Sequence, residues 1–335
     1  MKVLLYTESK KMLSKSGLGQ AINHQMKALE AENIEYTTNP KDNFDIAHIN
    51  FYGIKSYMLA KKMKKQGKKI VYHAHSTEED FRNSFILSNQ ISKLFKWWIT
   101  KCYSLGDAII TPTEYSKRLL QGYGIKKDIY VISNGVELGC FNKDTKKGKE
   151  FREKYGYKDE DKVIVGIGLY IERKGIVDFV ELAKELPNYK FIWFGYSPLL
   201  FSRKKARKAA RTKLDNLKFA GFVPQETING ALNGCDIYIA PTFEETEGIT
   251  IIEAASCKTK MIIRDIPVFD DWLEDGKNVY KAKDVNEFKK KIIDIANNNL
   301  KDLTQEGYKI AEERKSGNIG KKLKAVYTQI LGEKK

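Results

Sequence analysis

The chain has 335 residues, of which 42% are hydrophobic and 30% charged, and its formal net charge at pH 7 is +16. This length suits two domains of about 150 residues better than one. The charge calls for an acidic partner, which can be nucleic acid, an anionic membrane surface or a phosphate-bearing substrate. No apolar run approaches the roughly 18 residues of a membrane-spanning helix. We therefore expect a protein that is soluble or at most peripheral to a membrane.

The N-terminus and the cysteines indicate a reducing compartment. The apolar run after Met1 is short, and we interpret it as a first strand rather than a signal peptide. The four cysteines show neither CxxC spacing nor a paired framework, which favours reduced thiols. Together these features predict a cytoplasmic protein.

Short β-branched runs alternate with helical segments along the chain. In the first half the runs are residues 2–6, 46–50, 69–75, 108–113 and 130–134. After a charged stretch at 144–162 the pattern restarts, with runs at 163–168, 190–195, 217–222, 237–242 and 261–265. This alternation predicts an α/β fold with two Rossmann-like domains, each built on a doubly wound parallel sheet. An amphipathic helix at 318–331 closes the chain.

A glycine-rich segment opens the first predicted helix, at Ser16-Gly17-Leu18-Gly19. Glycines at a helix N-terminus let the backbone approach a phosphate, whose charge the helix end favours. The segment is not a dinucleotide fingerprint, because Ile22 stands where GxGxxG needs its last glycine. Phosphate binding at Gly17 and Gly19 and a simple tight turn both remain open.

Two histidines, His73 and His75, lie at the end of the third predicted strand. Alternate residues on a strand share a face, so the pair could bind a metal, but no third ligand follows at a recognised spacing. In an open α/β sheet, ligands bind at the carboxyl ends of the strands. We therefore expect His75 to contact a substrate, His73 to pack in the domain, and no metal to be bound.

The segment from Gly168 to Gly175 runs from the first strand of the second half into a helix and carries Arg173 and Lys174. Adjacent cations beside a helix N-terminus can clamp a diphosphate, since arginine binds phosphate oxygens with two N–H groups and lysine adds a point charge. The alternative is an ordinary solvated pair of charges.

Two glutamates, Glu245 and Glu253, lie eight positions apart after the strand at 237–242. Gly248 marks a turn between them, so Glu245 is predicted in a loop and Glu253 in the second turn of the following helix. Both would then face a ligand at the carboxyl end of a strand. If cations hold a diphosphate nearby, the carboxylates are suited to accept hydrogen bonds from sugar or ribose hydroxyls. Acidic surface residues on a loop are the alternative.

The order of these motifs resembles family 4 of the retaining glycosyltransferases, which have the GT-B fold. The motifs are the glycine segment, HxH, the SNGV at 133–136, G-x5-K-G at 168–175 and E-x7-E at 245–253. The segments at 75–85, 110–117 and 243–254 look like the Gram-positive monoglucosyldiacylglycerol synthases. The resemblance implies two Rossmann-like domains that face a central cleft. An acceptor-binding domain at 1–150 and a nucleotide-sugar-binding domain at 151–315 would be followed by a helix at 316–335 that packs back toward the first.

The resemblance also implies a role for each matching residue. Glu245 would lie at the hydroxyls of the donor sugar, together with Thr246, Glu247, Gly248 and Ile249, and Glu253 would bind the ribose. Lys174 would hold the diphosphate beside Gly168, Gly17 and Gly19 would approach the donor phosphate, and His75 would lie beside the transferred sugar. Phe222 and Val223 fall in the base-binding loop. The chain departs from the family at Leu169, where arginine is usual, and Arg173 is the candidate for the missing cation.

The family implies a metal-free reaction without a cofactor, in which a UDP-sugar donates a hexose with retention. UDP-glucose is the expected donor, with galactose left open, and diacylglycerol is the expected acceptor. Basic and aromatic segments at 61–69, 81–103 and 202–213 predict contact with an anionic membrane, at its cytoplasmic face. A polysaccharide, cell-wall or soluble acceptor, and a non-catalytic protein that binds membrane surfaces, remain alternatives. Nucleic-acid binding and nicotinamide chemistry are disfavoured, because neither recognition motif is present.

Overall fold

The computed structural model describes residues 1–8 and 17–332, so Ser16 of the glycine segment lies outside the described residues. The chain forms two compact units. Unit 1 comprises Met1–Phe81, Gln90–Glu137 and Arg314–Lys335, and unit 2 comprises Arg82–Asn89 and Leu138–Glu313. In the described ranges, no helix has both the length and the apolar composition that crossing a membrane requires.

Strands and helices alternate through both units. The strands are β1 (Lys2–Tyr6), β2 (Glu35–Thr37), β3 (Ile46–Ile49), β4 (Lys69–His73), β5 (Ala108–Thr111), β6 (Ile129–Val131), β7 (Val163–Ile167), β8 (Lys190–Phe194), β9 (Leu217–Gly221), β10 (Ile237–Ala240), β11 (Met261–Arg264) and β12 (Tyr280–Ala282). The α-helices are α1 (Gly17–Ala31), α2 (Ile54–Lys65), α3 (Glu78–Phe81), α4 (Ser88–Tyr103), α5 (Glu114–Gly122), α6 (Thr145–Tyr155), α7 (Ile176–Glu185), α8 (Lys204–Ala210), α9 (Gln225–Gly234), α10 (Ile249–Ser256), α11 (Val285–Ala296), α12 (Thr304–Glu313) and α13 (Ser316–Leu331).

Unit 1 is built on a parallel sheet of six strands within the described residues, in the order β2-β1-β3-β4-β5-β6. Both faces of the central strands are buried, as the continuous apolar runs of a parallel sheet require. Helices α1 and α13 pack closely against each other on one face of the sheet. Gly320 allows this close approach, since a Cβ added there would come within 2.2 Å of the Ala28 carbonyl oxygen. This packing buries Leu323 and Tyr327 in the core of unit 1.

Unit 2 is built on a second parallel sheet, in which the described residues form six strands in the order β12-β11-β10-β7-β8-β9. The chain runs outward from β7 through β8 to β9 and then returns to β10 on the other side of β7. The strand order therefore reverses between β7 and β10, and a doubly wound sheet has its crevice at the carboxyl ends of such a pair. Large aromatic side chains, among them Phe179 and Trp193, fill the core beneath it.

The predicted fold class is confirmed, and each predicted strand run overlaps an observed strand. The short strands β2 and β12 were not predicted, because their sequences, EYT and YKA, contain no β-branched apolar run. The basic and aromatic segment at 81–103 begins at the last residue of α3 and contains α4, and Asn83 and Leu87 between the two helices have positive φ. The charged stretch at 144–162 contains helix α6, which Asp144 caps by accepting hydrogen bonds from two backbone N–H groups.

Candidate active site

The loops that follow β7 and β10 lie side by side at the strand-order reversal in unit 2. Gly175 makes this approach possible, because its φ of +77° is left-handed and an added Cβ would come within 2.1 Å of the Pro241 carbonyl oxygen. The Phe243 N–H donates to the Arg173 carbonyl over 2.7 Å. The buried Thr242 hydroxyl is 3.1 Å from the carbonyl oxygens of both Arg173 and Glu244. The two loops are thus joined through their backbones.

An ion pair between Lys174, which is partly exposed, and the buried Glu245 lies at the junction of these loops. The guanidinium of Arg173 lies 3.8 Å from the second carboxylate oxygen of Glu245. Burial opposes ionisation of Glu245, but the charges of Lys174 and Arg173 outweigh it and lower the pKa of this carboxyl. Glu245 is therefore an anion at neutral pH, and it can accept hydrogen bonds from hydroxyl groups.

Arg173 has a contact pattern that the sequence did not predict. Its side chain is only 8% exposed, its Nε lies 3.0 Å from the Ser84 hydroxyl, and its Nη1 donates to the Glu244 carbonyl over 2.7 Å. The hydrogen bond to Glu244 thereby stabilises the loop after β10. Lys174 is partly exposed, and Gly168 lets its stem pack closely, since an added Cβ would lie 3.1 Å from the Lys174 Cβ. Lys174 is thus the more accessible of the two cations, and phosphate binding by Arg173 stays a prediction.

Glu253 lies in helix α10, which begins directly after Gly248, a residue with a left-handed φ of +92°. The Glu253 side chain is 4% exposed, and within residues 1–8 and 17–332 it has neither a hydrogen-bond donor nor a cation as partner. Burial alone raises the pKa of its carboxyl to about 8. Burying a carboxyl without a protein partner is costly, and carboxyls perturbed in this way are concentrated at ligand sites.

The other predicted residues of unit 2 lie in the same two loops or after β9. Glu247 is buried, Thr246 is partly exposed, and Ile249 is the first residue of α10. Phe222 is 47% exposed and Val223 partly exposed, directly after β9. An exposed aromatic ring beside the carboxyl end of a strand is suited to contact a flat base, and this role stays a prediction.

Three predicted site residues belong to unit 1. Gly17 is exposed at the start of α1, and an added Cβ there would meet no described atom within 4 Å, whereas Gly19 is buried. His75 is partly exposed two residues after β4, and its Nε2 lies 2.9 Å from the Asn50 side-chain oxygen. Burial lowers the pKa of His75 to about 3, so its ring is neutral at pH 7. His73 is buried, and its ring stacks on His75 at 3.9 Å between centroids.

Sequence reasoning missed Thr242 and Arg264. The buried Arg264 guanidinium donates to the Pro241 carbonyl over 3.2 Å, forms an ion pair with Asp178 and lies 4.0 Å above the Phe243 ring. It therefore holds the start of the loop that carries Glu245. A charged residue at the end of the otherwise apolar strand β11 was the signal that could have identified it.

The pKa of Glu253 predicts a pH dependence of stability. Because the folded-state pKa of about 8 exceeds the ordinary value of 4.5, the folded protein holds this proton more tightly than the unfolded chain. The resulting stabilisation is complete below pH 4.5, declines as pH rises, and is lost above about pH 8. For each pH unit between the two pKa values, the free energy of unfolding falls by about 1.4 kcal/mol. Glu253→Gln removes this titration, so its free energy of unfolding should increase relative to the parent protein between pH 5 and 8.

Urea denaturation at several pH values measures this difference. Glu181→Gln is the matched control, because the Glu181 carboxylate is exposed on α7 beside Lys184. Its stability relative to the parent should change little over the same range. A Glu253→Gln difference that stays constant with pH would show that Glu253 is ionised in the folded protein.

Comparison with known proteins identifies the family to which the chain belongs. The description "Glycosyl transferases group 1" matches residues 147–313, and "Glycosyltransferase Family 4" matches residues 26–139. A processive diacylglycerol alpha-glucosyltransferase of Acholeplasma laidlawii is 39% identical over 334 residues, which are 99% of each chain. This relative confirms the resemblance to enzymes that glucosylate diacylglycerol.

Solved structures show the same fold at low sequence identity. A sucrose-phosphate synthase from Thermosynechococcus elongatus superposes with a TM-score of 0.82 at 14% identity over 100% of both chains. Anabaena HepE in complex with UDP-glucose gives a TM-score of 0.79 at 16% identity, over 98% of this chain and 100% of that one. The chain therefore belongs to the GT-B glycosyltransferases of group 1 and family 4.

Proposed function

We propose that the protein transfers a hexose, with glucose as the expected sugar, from a UDP-sugar to diacylglycerol at a membrane surface. The observation that carries this proposal is the 39% identity to a diacylglycerol alpha-glucosyltransferase over 99% of both chains. A match that covers both chains end to end includes the acceptor-binding half as well as the donor-binding half. The proposal therefore extends to the lipid acceptor.

The chemistry of unit 2 supports a nucleotide-sugar donor. Lys174 supplies a positive charge at the strand-order reversal, where the departing diphosphate would accumulate negative charge. An ammonium group has three N–H donors, so Lys174 can contact a phosphate oxygen without leaving Glu245. Glu253 would accept hydrogen bonds from the ribose, and Glu245 from the sugar. HepE, which shares the fold, binds UDP-glucose.

The proposed reaction retains the anomeric configuration and requires no metal. UDP-glucose is itself an α-glucoside, so an α-glucosyl product corresponds to retention. Glu245 is held by Lys174 and Arg173, which makes it a positioning group rather than a glycosidase-type nucleophile. The acceptor hydroxyl would attack on the face that the diphosphate leaves, and a phosphate oxygen would take its proton.

The surface of unit 1 offers a membrane contact on helix α4. Ile91, Leu94 and Trp97 are exposed there, and the Lys101 ammonium lies 5.0 Å from the Trp97 ring centre. Trp98, by contrast, packs inward and donates from Nε1 to the Tyr52 carbonyl over 2.7 Å. Exposed apolar side chains with lysines around them suit the interface of an anionic bilayer. Cytoplasmic, peripheral association with the membrane is therefore part of the proposal.

A transfer assay tests the proposed function. The protein is incubated with radiolabelled UDP-glucose and diacylglycerol vesicles, and the lipids are then extracted and separated. We expect label in a glucosylated lipid, and about 100-fold slower transfer for Lys174→Met, which loses the charge at the leaving group. Lys184→Met, on the exposed face of α7, is the matched control and should keep its rate. Label only in water-soluble products would contradict the lipid acceptor.

Binding to vesicles tests the membrane contact separately. Sedimentation with vesicles should increase with anionic lipid content and decrease with salt, because exposed charges are screened. Trp97→Ala combined with Leu94→Ala should weaken binding about tenfold or more, since both side chains lose apolar contact with lipid. Trp272→Ala, a partly exposed tryptophan of unit 2, is the control. Vesicle binding that changes neither with salt nor in the α4 double variant would contradict a membrane contact at this surface.

A further inference from the structure

Unit 1 contains a row of polar side chains that crosses its apolar core. The row runs from helix α13, through β3 and β4, to helix α1 and the residues that follow β3 and β4. Its members, called the polar chain here, are Tyr327, His48, His73, Gln25, Asn50 and His75. All except His75 are buried. Polar groups in a core are costly unless they are hydrogen-bonded, so a continuous row of them calls for an explanation.

The first half of the polar chain joins helix α13 to the sheet. The Tyr327 hydroxyl lies 2.6 Å from His48 Nδ1, and His48 Nε2 lies 3.1 Å from His73 Nδ1. The His48 and His73 rings are nearly parallel, with centroids 5.3 Å apart. Tyr327 is thus connected to the carboxyl end of β4, although 254 positions separate it from His73 in the sequence (327 − 73).

The second half of the polar chain continues to His75. The Gln25 amide nitrogen lies 2.8 Å from His73 Nδ1 and 2.9 Å from the Asn50 side-chain oxygen. The same Asn50 oxygen lies 2.9 Å from His75 Nε2. The His73 ring also stacks on the His75 ring at an interplanar angle of 5°. Both the position and the orientation of the His75 ring are therefore constrained.

With the Gln25 and Asn50 side-chain amides oriented as in the structure, these contacts assign a proton to one nitrogen of each ring. An amide nitrogen only donates, so His73 Nδ1 must accept from Gln25. His48 Nε2 then donates to the same lone pair, which the two donors share, and His48 Nδ1 accepts from the Tyr327 hydroxyl. The proton of His73 lies on Nε2, which is buried and has no hydrogen-bond partner among the described residues. The Asn50 side-chain oxygen only accepts, so His75 Nε2 carries its proton.

Burial keeps the three rings neutral, which is necessary for fixed tautomers. It lowers the pKa of His48 and of His75 to about 3, and burial with the two neighbouring histidines also lowers the pKa of His73. Each ring therefore holds one proton at pH 7. With Nε2 protonated, His75 has a lone pair on Nδ1 that can accept a hydrogen bond.

We propose that Tyr327 is a positioning residue, which holds His75 in its Nε2–H tautomer through the polar chain and so presents Nδ1 to a substrate hydroxyl. The proposal rests on the proposed function, since that assigns His75 to the substrate site. Helix α13 would then contribute to the orientation of His75 as well as to the core of unit 1. Tyr327 itself acts only through the other members, because it is fully buried.

The test combines nitrogen NMR with kinetics on the full chain. The parent protein has four histidines, so ¹⁵N-histidine labelling gives few signals. Long-range ¹H–¹⁵N correlation separates the two neutral tautomers by their nitrogen shifts. We expect a single Nε2–H form for His48, His73 and His75 in the parent. In Tyr327→Phe, which keeps the ring and removes only the hydroxyl, His48 and His75 should show a mixture of tautomers.

The kinetic arm measures transfer from UDP-glucose to diacylglycerol vesicles. Tyr327→Phe should lower kcat about tenfold, as loss of an orienting partner typically does, with less than about a twofold change in KM for the donor. Tyr36→Phe is one control, since its hydroxyl donates to Glu30 on the exposed surface of unit 1. Ile319→Val is the other, because it removes one buried methyl group from the packing of α13 and leaves the polar chain intact.

The outcomes separate this proposal from the proposed function. Mixed tautomers and a reduced kcat in Tyr327→Phe alone would support it. A His75 that stays in the Nε2–H form in Tyr327→Phe, or a kcat that falls equally in Ile319→Val, would overturn it. If the parent protein glucosylated no lipid, the proposed function would fail, while the tautomer measurement would still decide whether Tyr327 controls His75.

Discussion

The ion pair between the partly exposed Lys174 and the buried Glu245 is the interaction on which the candidate site depends. It forms where β7 and β10 end, at the reversal of strand order, and it holds together two loops separated by some 70 residues of sequence. Glu245 is buried, and a buried carboxylate without a cation would be strongly destabilising, so the loop after β7 must be in place for Glu245 to be tolerated. Arg264 and Thr242 fix the backbone around the pair. The result is a preformed patch with an accessible cation and a neighbouring acceptor.

The buried polar side chains of the two units differ in how they are stabilised. In unit 2 the charges of Lys174 and Glu245 compensate each other, and Glu253 is left without a partner among the described residues. In unit 1 the polar chain is uncharged, and its hydrogen bonds run from Tyr327 to His75. Neutral rings cost less to bury than ions, which lets this row pass through the apolar core between α13 and the sheet. Both arrangements lie at the carboxyl ends of parallel strands.

Local patterns in the sequence predicted much of this architecture. Apolar runs indicated the longer strands, and the turn at Gly248 indicated the start of α10 and the place of Glu253 in its second turn. Contacts between residues that are far apart in the sequence could not be predicted from local patterns. The bond from Arg173 to Ser84 and the link from Tyr327 to His48 depend on which segments the fold brings together. The local signs of the polar chain were His73 and His75 at a strand end and His48 at a buried position of the apolar strand β3.

The central claim is that a nucleotide sugar binds at the β7–β10 reversal with its ribose on Glu253. Calorimetry of UDP-glucose binding at pH 7, in buffers of different ionisation enthalpy, tests it directly. At this pH the Glu253 carboxyl is largely protonated, since its pKa is about 8, and hydroxyl donors from the ribose would favour its ionised form. We predict release of up to about one proton on binding to the parent protein and almost none in Glu253→Gln. Equal proton release in the two proteins, or none in the parent, would contradict this claim.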